Sequence, residues 1–254
     1  MRIFLTSLLL LVLYGCRSVE PPHGHAATPT GPRQKQIFLV IDDAGLDLSE
    51  VRRFLDIPVP MTIAVLPHLK QTREVCAVIA RYSDKEIILH QPMEAYDRTA
   101  DTGPGTIYNT THPNAVAKIL DRNLDSVQGA VGINNHMGSR VTENPLLIAE
   151  ILQYCRDRGL YFLDSKTAYN SVVERVAGRE HFHYEGRDVF LDIRHDRQSV
   201  RRAWESTVAK ARSQGYVIAI GHIWCRETAA AIRDSYETLQ NQGYTFHKLS
   251  ELYE

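Results

Sequence analysis

Short apolar segments recur along the chain from residue 36 onward, and most have the length of a buried β-strand. The first, residues 37–41, contains five apolar residues in a row, which is typical of a strand covered on both faces of a sheet. The predicted strands lie near residues 37–41, 61–66, 86–89, 130–133, 160–163, 189–191, 217–221 and 245–247. Segments with helical spacing separate many of them, so the two kinds of element alternate.

One predicted helix has clear signals at both ends. Asn144 is a suitable N-terminal cap, Pro145 suits the first turn, and Gly159 ends the helix. Apolar residues between these positions repeat at the spacing of one helix face. The other predicted helices cover residues 116–127 after Pro113, 198–214 before Gly215, and 227–241 before Gly243.

Alternating strands and helices predict parallel pairing, because each crossover between parallel strands needs a helix. Seven or eight such units without an internal linker favour one closed or nearly closed β/α barrel over residues 36–254. A doubly wound open sheet is the alternative. Residues 91–111 interrupt the alternation with Pro and Gly and little periodicity, which indicates a functional or mobile loop.

Polar side chains stand where seven of the predicted strands end. In a β/α barrel these positions share the C-terminal face of the strands, where active sites lie. Turns alone would favour Ser, Gly and Pro as well. The residues concerned, including those just beyond each strand, are Asp42, Asp43, His68, His90, Glu94, Asn134, Asn135, His136, Arg140, Asp164, Asp192 and His222.

Aspartate and neutral histidine are suitable ligands for zinc, and a catalytic zinc site needs about three of them and an open position for water. A neighbouring carboxylate can act as general base and a histidine as general acid. Asp42 and Asp43 can divide these tasks, because side chains at a strand end point in different directions. A single histidine is more often structural, so the prediction rests on the whole set.

The composition is that of an ordinary soluble globular protein, with 44% apolar and 23% charged residues. The net charge of -1 and the lack of a basic stripe with aromatic residues give no indication of a nucleic-acid partner. No C-x-x-C pair exists, so a zinc site made of cysteines is not expected. Cys76 and Cys155 are predicted core residues, and with Cys225 they leave room for one disulfide bridge.

Residues 1–16 have the features of a secretory signal. A positive start precedes an apolar segment that is too short for an ordinary membrane-spanning helix. Cys16 follows a small residue, as in bacterial lipoprotein signals, in which the cysteine becomes the lipid-bearing first residue. A plain signal peptide cut nearby and an uncleaved anchor are the alternatives. Residues 17–35 are predicted to form a flexible tether between this signal and the folded domain. The signal and Cys16 together predict an exported protein of the bacterial cell envelope, lipid-anchored to a membrane and facing the periplasm or the exterior.

Seven segments of the chain resemble the divergent polysaccharide deacetylase family. They are residues 41–45 (IDDAG), 66–68 (LPH), 89–94 (LHQPME), 132–140 (GINNHMGSR), 162–167 (FLDSKT), 187–192 (RDVFLD) and 221–222 (GH). They occur in the family's order, and the NNHMGSR run at residues 134–140 is highly specific. The family is similar to a distant branch of the NodB-type carbohydrate deacetylases. The resemblance therefore implies a distorted β/α barrel that uses a divalent metal, usually zinc.

The resemblance also implies roles for individual residues. Asp42 matches the general base, Asp43 and His90 match metal ligands, and His222 matches the histidine that protonates the departing amine. Asp164 would orient that histidine or line the site. The residues expected to contact substrate or support the site are His68, Glu94, Asn134, Asn135, Arg140, Asp164 and Asp192.

One position departs from the NodB pattern. Those enzymes carry two metal-binding histidines four residues apart, whereas the residue four after His90 is Glu94. The third ligand is therefore expected from elsewhere, with His136 preferred and Glu94 as the alternative. Arg140 would brace a carboxylate or an oxyanion, or form a salt bridge beneath the loop.

The expected function is metal-dependent hydrolysis of N-acetyl groups on a cell-envelope polysaccharide or a peptidoglycan-type sugar. The competing hypothesis is a non-catalytic envelope lipoprotein that binds carbohydrate or serves as a scaffold on the same fold. A metal-dependent amidase acting on a different amide would use the same residues.

Overall fold

Nine parallel strands form the centre of the molecule in the computed structural model, which describes residues 34–253. They are β1 Gln36–Ala44, β2 Met61–Val65, β3 Lys85–Met93, β4 Ala130–Met137, β5 Tyr161–Asp164, β6 Glu185–Gly186, β7 Val189–Phe190, β8 Tyr216–His222 and β9 Thr245–His247. The sheet order is β6-β5-β4-β3-β2-β1-β8-β7, and β9 pairs with β1 beside β2. Consecutive strands are mostly neighbours, which excludes the doubly wound alternative because that fold reverses its strand order.

The two ends of this sheet are joined by the chain itself. Only Arg187 and Asp188 separate β6, which pairs with β5, from β7, which pairs with β8. The Arg187 amide donates to the Asp164 carbonyl at 3.0 Å, and the Asp188 amide donates to the Ile218 carbonyl at 2.9 Å. One short segment therefore crosses from one edge of the sheet to the other. The predicted distorted barrel is confirmed.

Helices cover the outside of the strands. They are α1 Leu48–Leu55, α2 Thr72–Ile79, α3 Val116–Ser126, α4 Pro145–Arg158, α5 Val173–Arg179, α6 Arg197–Gln214, α7 Arg226–Arg233 and α8 Tyr236–Asn241. Short 3-10 helices span Pro113–Ala115 and Leu249–Leu252. Within residues 34–253, no helix combines the length and the apolar character that crossing a membrane requires.

The strands bury both faces, as their apolar composition predicts. One set of alternate residues packs with the helices into the larger core, for example Ile37, Leu39 and Ile41 of β1. The other set fills the barrel interior, for example Phe38 and Val40. The interior set continues upward along the same strands. The next residues of that set on β1, β3 and β8 are Asp42, His90 and His222, so the polar residues form the top layer of the barrel.

A polar network closes the opposite end of the barrel. The buried Glu86 carboxylate accepts hydrogen bonds from the Thr62 hydroxyl at 2.6 Å and the Tyr161 hydroxyl at 2.9 Å. The same oxygen accepts from the Ser250 amide at 3.1 Å, which fixes the last 3-10 helix beneath the strands. Substrate access is therefore expected from the C-terminal ends of the strands.

The structure confirms all eight predicted strands but extends several of them. His90 lies inside β3, and Asn134 and His136 lie inside β4, so these residues are fixed by sheet register rather than by loops. The short β6 escaped prediction. Helix α4 is confirmed at both ends, since Asn144 caps the Leu146 and Leu147 amides and Gly159 has a φ of 64°.

The single helix predicted over residues 227–241 is wrong. Two helices, α7 and α8, meet at Ser235 instead. The Ser235 hydroxyl donates to the Ala231 carbonyl at 2.7 Å and accepts from the Trp204 indole at 2.8 Å. A serine that bonds back to the preceding turn bends a helix, and here the tertiary contact to Trp204 adds to that effect.

The segment predicted as a functional or mobile loop is tied to the barrel. Its first residues complete β3, and the buried Ile107 exchanges backbone hydrogen bonds with Pro92 and Glu94, both at 2.9 Å. The Gly105 carbonyl accepts from the Asn123 side chain at 2.8 Å. The long loop is thus a packed structure above strands β3 and β4.

Several sequence predictions fall on residues that the structure does not describe. The signal peptide, Cys16 and the tether up to residue 33 lie outside the described residues. Lys35, predicted as tether, belongs to the fold, since its carbonyl accepts from the Thr245 amide at 3.0 Å. The other three cysteines are buried free thiols, which confirms the core prediction for Cys76 and Cys155 and leaves no bridge among them.

Candidate metal centre

The first strand ends in a bulge that turns two adjacent carboxylates toward the same place. From Ile41 to Ala44, β1 advances by three residues while β2 advances by two, and Asp43 has a φ of 68°. In a regular strand Asp42 and Asp43 would face opposite sides. Here the Asp42 and Asp43 carboxylates lie 3.7 and 3.2 Å from the same nitrogen of His90. The expectation that they point in different directions is therefore wrong, because the left-handed backbone of Asp43 turns both carboxylates toward His90.

Three possible metal-binding atoms form a small triangle at this point. Asp43 Oδ1 lies 3.2 Å from His90 Nε2 and 3.0 Å from His136 Nδ1. The two nitrogens are 3.1 Å apart. Among the described residues, these three form the group of ligating side chains that is close enough to hold one ion. Strands β1, β3 and β4 each contribute one member.

The triangle fits a divalent metal on three grounds. Asp and two His are a usual donor set for catalytic zinc, with a further position left open. Ligand atoms at about 2.0–2.1 Å from a tetrahedral zinc ion lie about 3.3 Å from each other, close to the observed separations. Finally, Asp43 Oδ1 is buried and satisfies no hydrogen bond within the described chain, although both imidazoles are near. A shared cation would satisfy all three atoms at once.

Asn134 fixes the orientation of His90. Its side-chain NH₂ donates to Asp42 Oδ1 at 2.9 Å, so its amide oxygen must face His90 Nδ1, which lies 2.7 Å away. An oxygen acceptor there requires a proton on Nδ1 and leaves the lone pair of Nε2 directed at the triangle. One buried amide therefore sets both the tautomer of a ligand and the position of Asp42.

The surroundings of Asp42 favour a proton acceptor. Its burial raises the pKa of the carboxyl above the ordinary value, and the neighbouring Asp43 raises it further, while His90 and His222 oppose the shift. Asp43 differs, because the imidazoles of His136 and His90 lower its pKa more than burial raises it. The pKa values of the two aspartates are thus shifted in opposite directions.

His222 is held by a second buried carboxylate. Its Nδ1 lies 2.7 Å from Asp192 Oδ1, and its amide donates to Asp192 Oδ2 at 2.9 Å. Burial alone would lower the pKa of His222, but the hydrogen bond and charge of Asp192 raise it to about 9. The ring stacks against Phe190 and Trp224, with centroid distances of 5.8 and 5.0 Å. Nδ1 is therefore engaged, and Nε2 is the nitrogen left for a substrate.

The expectation that Asp164 orients His222 is wrong. Asp164 accepts from the Lys166 amide at 2.8 Å and from the Ser171 hydroxyl at 2.8 Å, so it stabilises the turn after β5. Asp192 has the orienting position because its segment pairs with β8 in register. Asp192 could have been singled out from sequence, since it lies two residues after the interior residue Phe190.

Glu94 and Arg140 lie beside the centre and contact each other rather than the triangle. Glu94 accepts from the Asn109 amide at 2.7 Å, and Arg140 Nη1 lies 3.6 Å from its other oxygen. Glu94 is not part of the group that could hold the ion, so the structure favours His136 as third ligand. The salt bridge beneath the loop is the observed role of Arg140.

Two other predicted residues are structural in this arrangement. Asn135 accepts from the Ser165 amide at 2.9 Å and donates to the Met137 carbonyl at 2.7 Å, which ties β4 to the turn after β5. His68 lies 2.9 Å from the Asn123 side chain, on the surface above β2.

Sequence reasoning missed two residues of the site. Trp224 donates its indole N–H to Asp43 Oδ2 at 3.0 Å. Arg187 packs its guanidinium 3.7 Å from the Phe190 ring centroid, and burial lowers its pKa, which the charges of Asp164 and Asp42 partly offset. Trp224 contacts Asp43 across 181 residues of sequence, so no local pattern indicates its role, whereas Arg187 opens the family-like segment 187–192, whose pattern alone gives it no role.

Residues 39–253 match the model of the family described as divergent polysaccharide deacetylase. The match includes the strands and turns that build the metal centre. The chain belongs to the divergent polysaccharide deacetylase family. The resemblance noted in the sequence is thereby confirmed over almost the whole described region.

Two curated relatives of similar sequence are named as uncharacterised proteins. The chain is 32% identical over 187 residues to the uncharacterised protein YibQ of Escherichia coli K12. This alignment covers 74% of this chain and 58% of YibQ. It is 29% identical over 192 residues to an uncharacterised protein of Haemophilus influenzae, covering 74% of this chain and 67% of that protein. The chain therefore spans little more than half the length of YibQ.

Solved structures share the fold of this family member. An uncharacterised protein from Agrobacterium tumefaciens C58 superposes with a TM-score of 0.81 at 21% identity, over 88% of this chain and 91% of that chain. The catalytic domain of a peptidoglycan N-acetylglucosamine deacetylase from Eubacterium rectale gives 0.56 at 16% identity, over 88% and 93%. A CE4 family pseudoenzyme from Bacillus anthracis gives 0.53 at 14% identity, over 88% and 67%. The fold is thus that of CE4 deacetylases, and it occurs with and without activity.

Proposed function

We propose that this protein hydrolyses N-acetyl groups on a cell-envelope polysaccharide or a peptidoglycan-type sugar, with a divalent metal, zinc by preference. The observation that carries the proposal is the triangle of Asp43, His90 and His136 beside two further groups, the buried Asp42 carboxylate and the Asp192-bound His222. Family membership and the CE4 fold support the same reaction class. Exported, lipid-anchored placement through Cys16 remains part of the proposal.

Asp43, His90 and His136 would hold the ion, whose chemistry is to polarise the acetyl carbonyl and make water more acidic. Asp42 takes a proton from the attacking water, a task suited to a carboxylate whose pKa is raised by burial. Asn134 holds Asp42 through Oδ1 and leaves Oδ2 free for that transfer.

His222 completes the reaction. With a pKa of about 9 it is protonated at neutral pH, and its Nδ1 keeps its proton in the hydrogen bond that it donates to Asp192. Its Nε2 proton passes to the departing amine when the C–N bond breaks. The products are acetate and a free amino sugar, so the atoms of one water are divided between them.

The test compares two adjacent substitutions in the purified protein. We expect Asp42→Asn to bind zinc as the wild type does but to lose turnover by about 10²–10⁴-fold, the usual contribution of a general base. Asp43→Asn should lose zinc as well. Zinc content and release of acetate from chitin oligomers and peptidoglycan fragments are measured. Wild-type rates in Asp42→Asn would refute this mechanism.

A non-catalytic envelope module is the second candidate, and the similarity of fold to a pseudoenzyme from Bacillus anthracis favours it. This candidate predicts bound zinc without acetate release from any acetylated sugar. A metal-dependent amidase acting on another amide would instead release a different acid, which profiling with a panel of N-acylated substrates detects.

A further inference from the structure

Trp224 connects two parts of the site that come from opposite ends of the chain. Its indole N–H donates to Asp43 Oδ2 at 3.0 Å, across 181 residues of sequence. Its ring stacks on His222 with a centroid distance of 5.0 Å and an interplanar angle of 18°. One side chain therefore touches a metal-binding carboxylate and the histidine proposed as proton donor.

The backbone around Trp224 is held on both sides. The Ile223 amide donates to the Asp42 carbonyl at 2.9 Å, and the Cys225 amide donates to the His222 carbonyl at 3.0 Å. These bonds fix the turn between β8 and α7 against the end of β1. The indole consequently reaches Asp43 from a rigid support, although 37% of Trp224 is exposed.

The contact distinguishes the two oxygens of Asp43. Oδ1 lies in the triangle with His90 and His136, whereas Oδ2 is engaged by the indole. A carboxylate with one oxygen engaged in this way offers a single ligand atom. Partners that orient metal ligands from outside the coordination sphere change metal affinity by about 10–100-fold when they are removed.

We propose that Trp224 is a positioning residue that fixes Asp43 as a one-oxygen metal ligand and sets its separation from His222. This inference rests on the proposed function, because it assigns Trp224 a task within the same metal site. Trp224 acts through its two partners and takes no part in bond making.

The variant Trp224→Phe keeps an aromatic ring next to His222 and removes the N–H donor. Trp204→Phe is the matched control, because these are the two tryptophans of the chain and Trp204 donates to Ser235 between α6 and the α7–α8 junction. We expect Trp224→Phe to weaken zinc binding by about 10–100-fold in competition with a chromophoric chelator. Trp204→Phe should bind zinc like the wild type.

Fluorescence gives a second readout that does not depend on activity. In Trp204→Phe, Trp224 is the sole tryptophan, and titration with Co²⁺ should quench its emission at the concentration where the site fills. In Trp224→Phe, the remaining Trp204 should show much weaker quenching. Urea unfolding of both variants checks that the fold is kept.

Equal zinc affinity in Trp224→Phe and the wild type would overturn the inference, as would Co²⁺ saturation without quenching of Trp224. Failure of the proposed function has a different signature. It appears in the wild type itself, as zinc binding without release of acetate from any acetylated sugar. A loss of affinity in Trp224→Phe would then still support the positioning role.

Discussion

At the level of single residues, the site is built from hydrogen-bonded pairs in which one side chain fixes the orientation of the other. Asn134 orients His90 and Asp192 orients His222, each through a hydrogen bond to Nδ1, and both histidines lie in the top layer of the barrel interior. Positive φ angles occur at Asp43 and Met137, in the last residues of β1 and β4, and at His68 and Lys166, just beyond β2 and β5. Such backbone conformations cost free energy and cluster at functional faces.

Asp192→Asn tests whether Asp192 raises the pKa of His222. Because the hydrogen bond and charge of Asp192 raise the pKa of His222 to about 9, the loss of Asp192 should lower that pKa, since burial of the ring persists. The alkaline limb of the pH–rate profile then moves to lower pH. NMR titration of the imidazole in metal-free protein and the rate profile measure this. Asp188→Asn, whose carboxylate accepts from the Ile218 amide at 2.9 Å, is the control.

The same ion pair affects stability in a defined pH window. The folded pKa of His222 is raised from an ordinary value of 6.5 to about 9, so its stabilising contribution is complete below pH 6.5 and is lost as pH rises through 9. Urea unfolding of the wild type should show this decline, and Asp192→Asn should lack it. An identical alkaline decline in both proteins would contradict the assignment.

At the scale of elements, the loop after β3 is shaped by the helix it contacts. Asn123 of α3 donates to the Gly105 carbonyl and to Gln91 Oε1, both at 2.8 Å. Gly105 has a φ of 78°, and a Cβ there would lie 2.2 Å from Asn123 Oδ1. Gly103 has a φ of 83° but no atom within 4 Å of its added Cβ.

These two glycines form a matched pair for a stability test. Gly103→Ala should lose about 1–2 kcal/mol of unfolding free energy from the left-handed backbone alone. Gly105→Ala should lose a further ~1–3 kcal/mol, because Asn123 must move and overpacking strains the loop. Urea unfolding measures both values. Equal losses would show that the contact with Asn123 does not hold the loop.

At the scale of the whole molecule, a bound ion would link three strands of the barrel. Asp43, His90 and His136 come from β1, β3 and β4, while β2 lies between the first two strands. A ligand that binds the folded state alone stabilises it by about 2.7 kcal/mol at one hundred times its Kd. For a domain of this size that corresponds to a rise in Tm of about 5–10 °C.

Zinc should therefore raise the Tm of the wild type, and a chelator should reverse the rise. His136→Ala should abolish the shift because a ligand is lost. Glu94→Gln should keep it, since Glu94 pairs with Arg140 and lies outside the triangle. Differential scanning calorimetry measures these shifts. The reverse pattern in the two variants would make Glu94 the third ligand.

Local patterns in the amino-acid sequence predict the order of the strands along the chain, their parallel pairing and the end of the barrel that carries the site. These features follow from local periodicity and from the rule that parallel strands present their C-terminal ends together. Asp42, Asp43, His90 and His222 are recognisable from the sequence alone, because each lies at the end of an apolar segment.

Which of the polar residues meet depends on the tertiary structure. It brings His136 rather than Glu94 to Asp43, Asp192 rather than Asp164 to His222, and Trp224 to Asp43. The partners are 30 to 181 residues apart, and their meeting depends on strand register and on a bulge in β1. Local sequence patterns do not encode register between distant strands, because it is set by how the complete barrel packs.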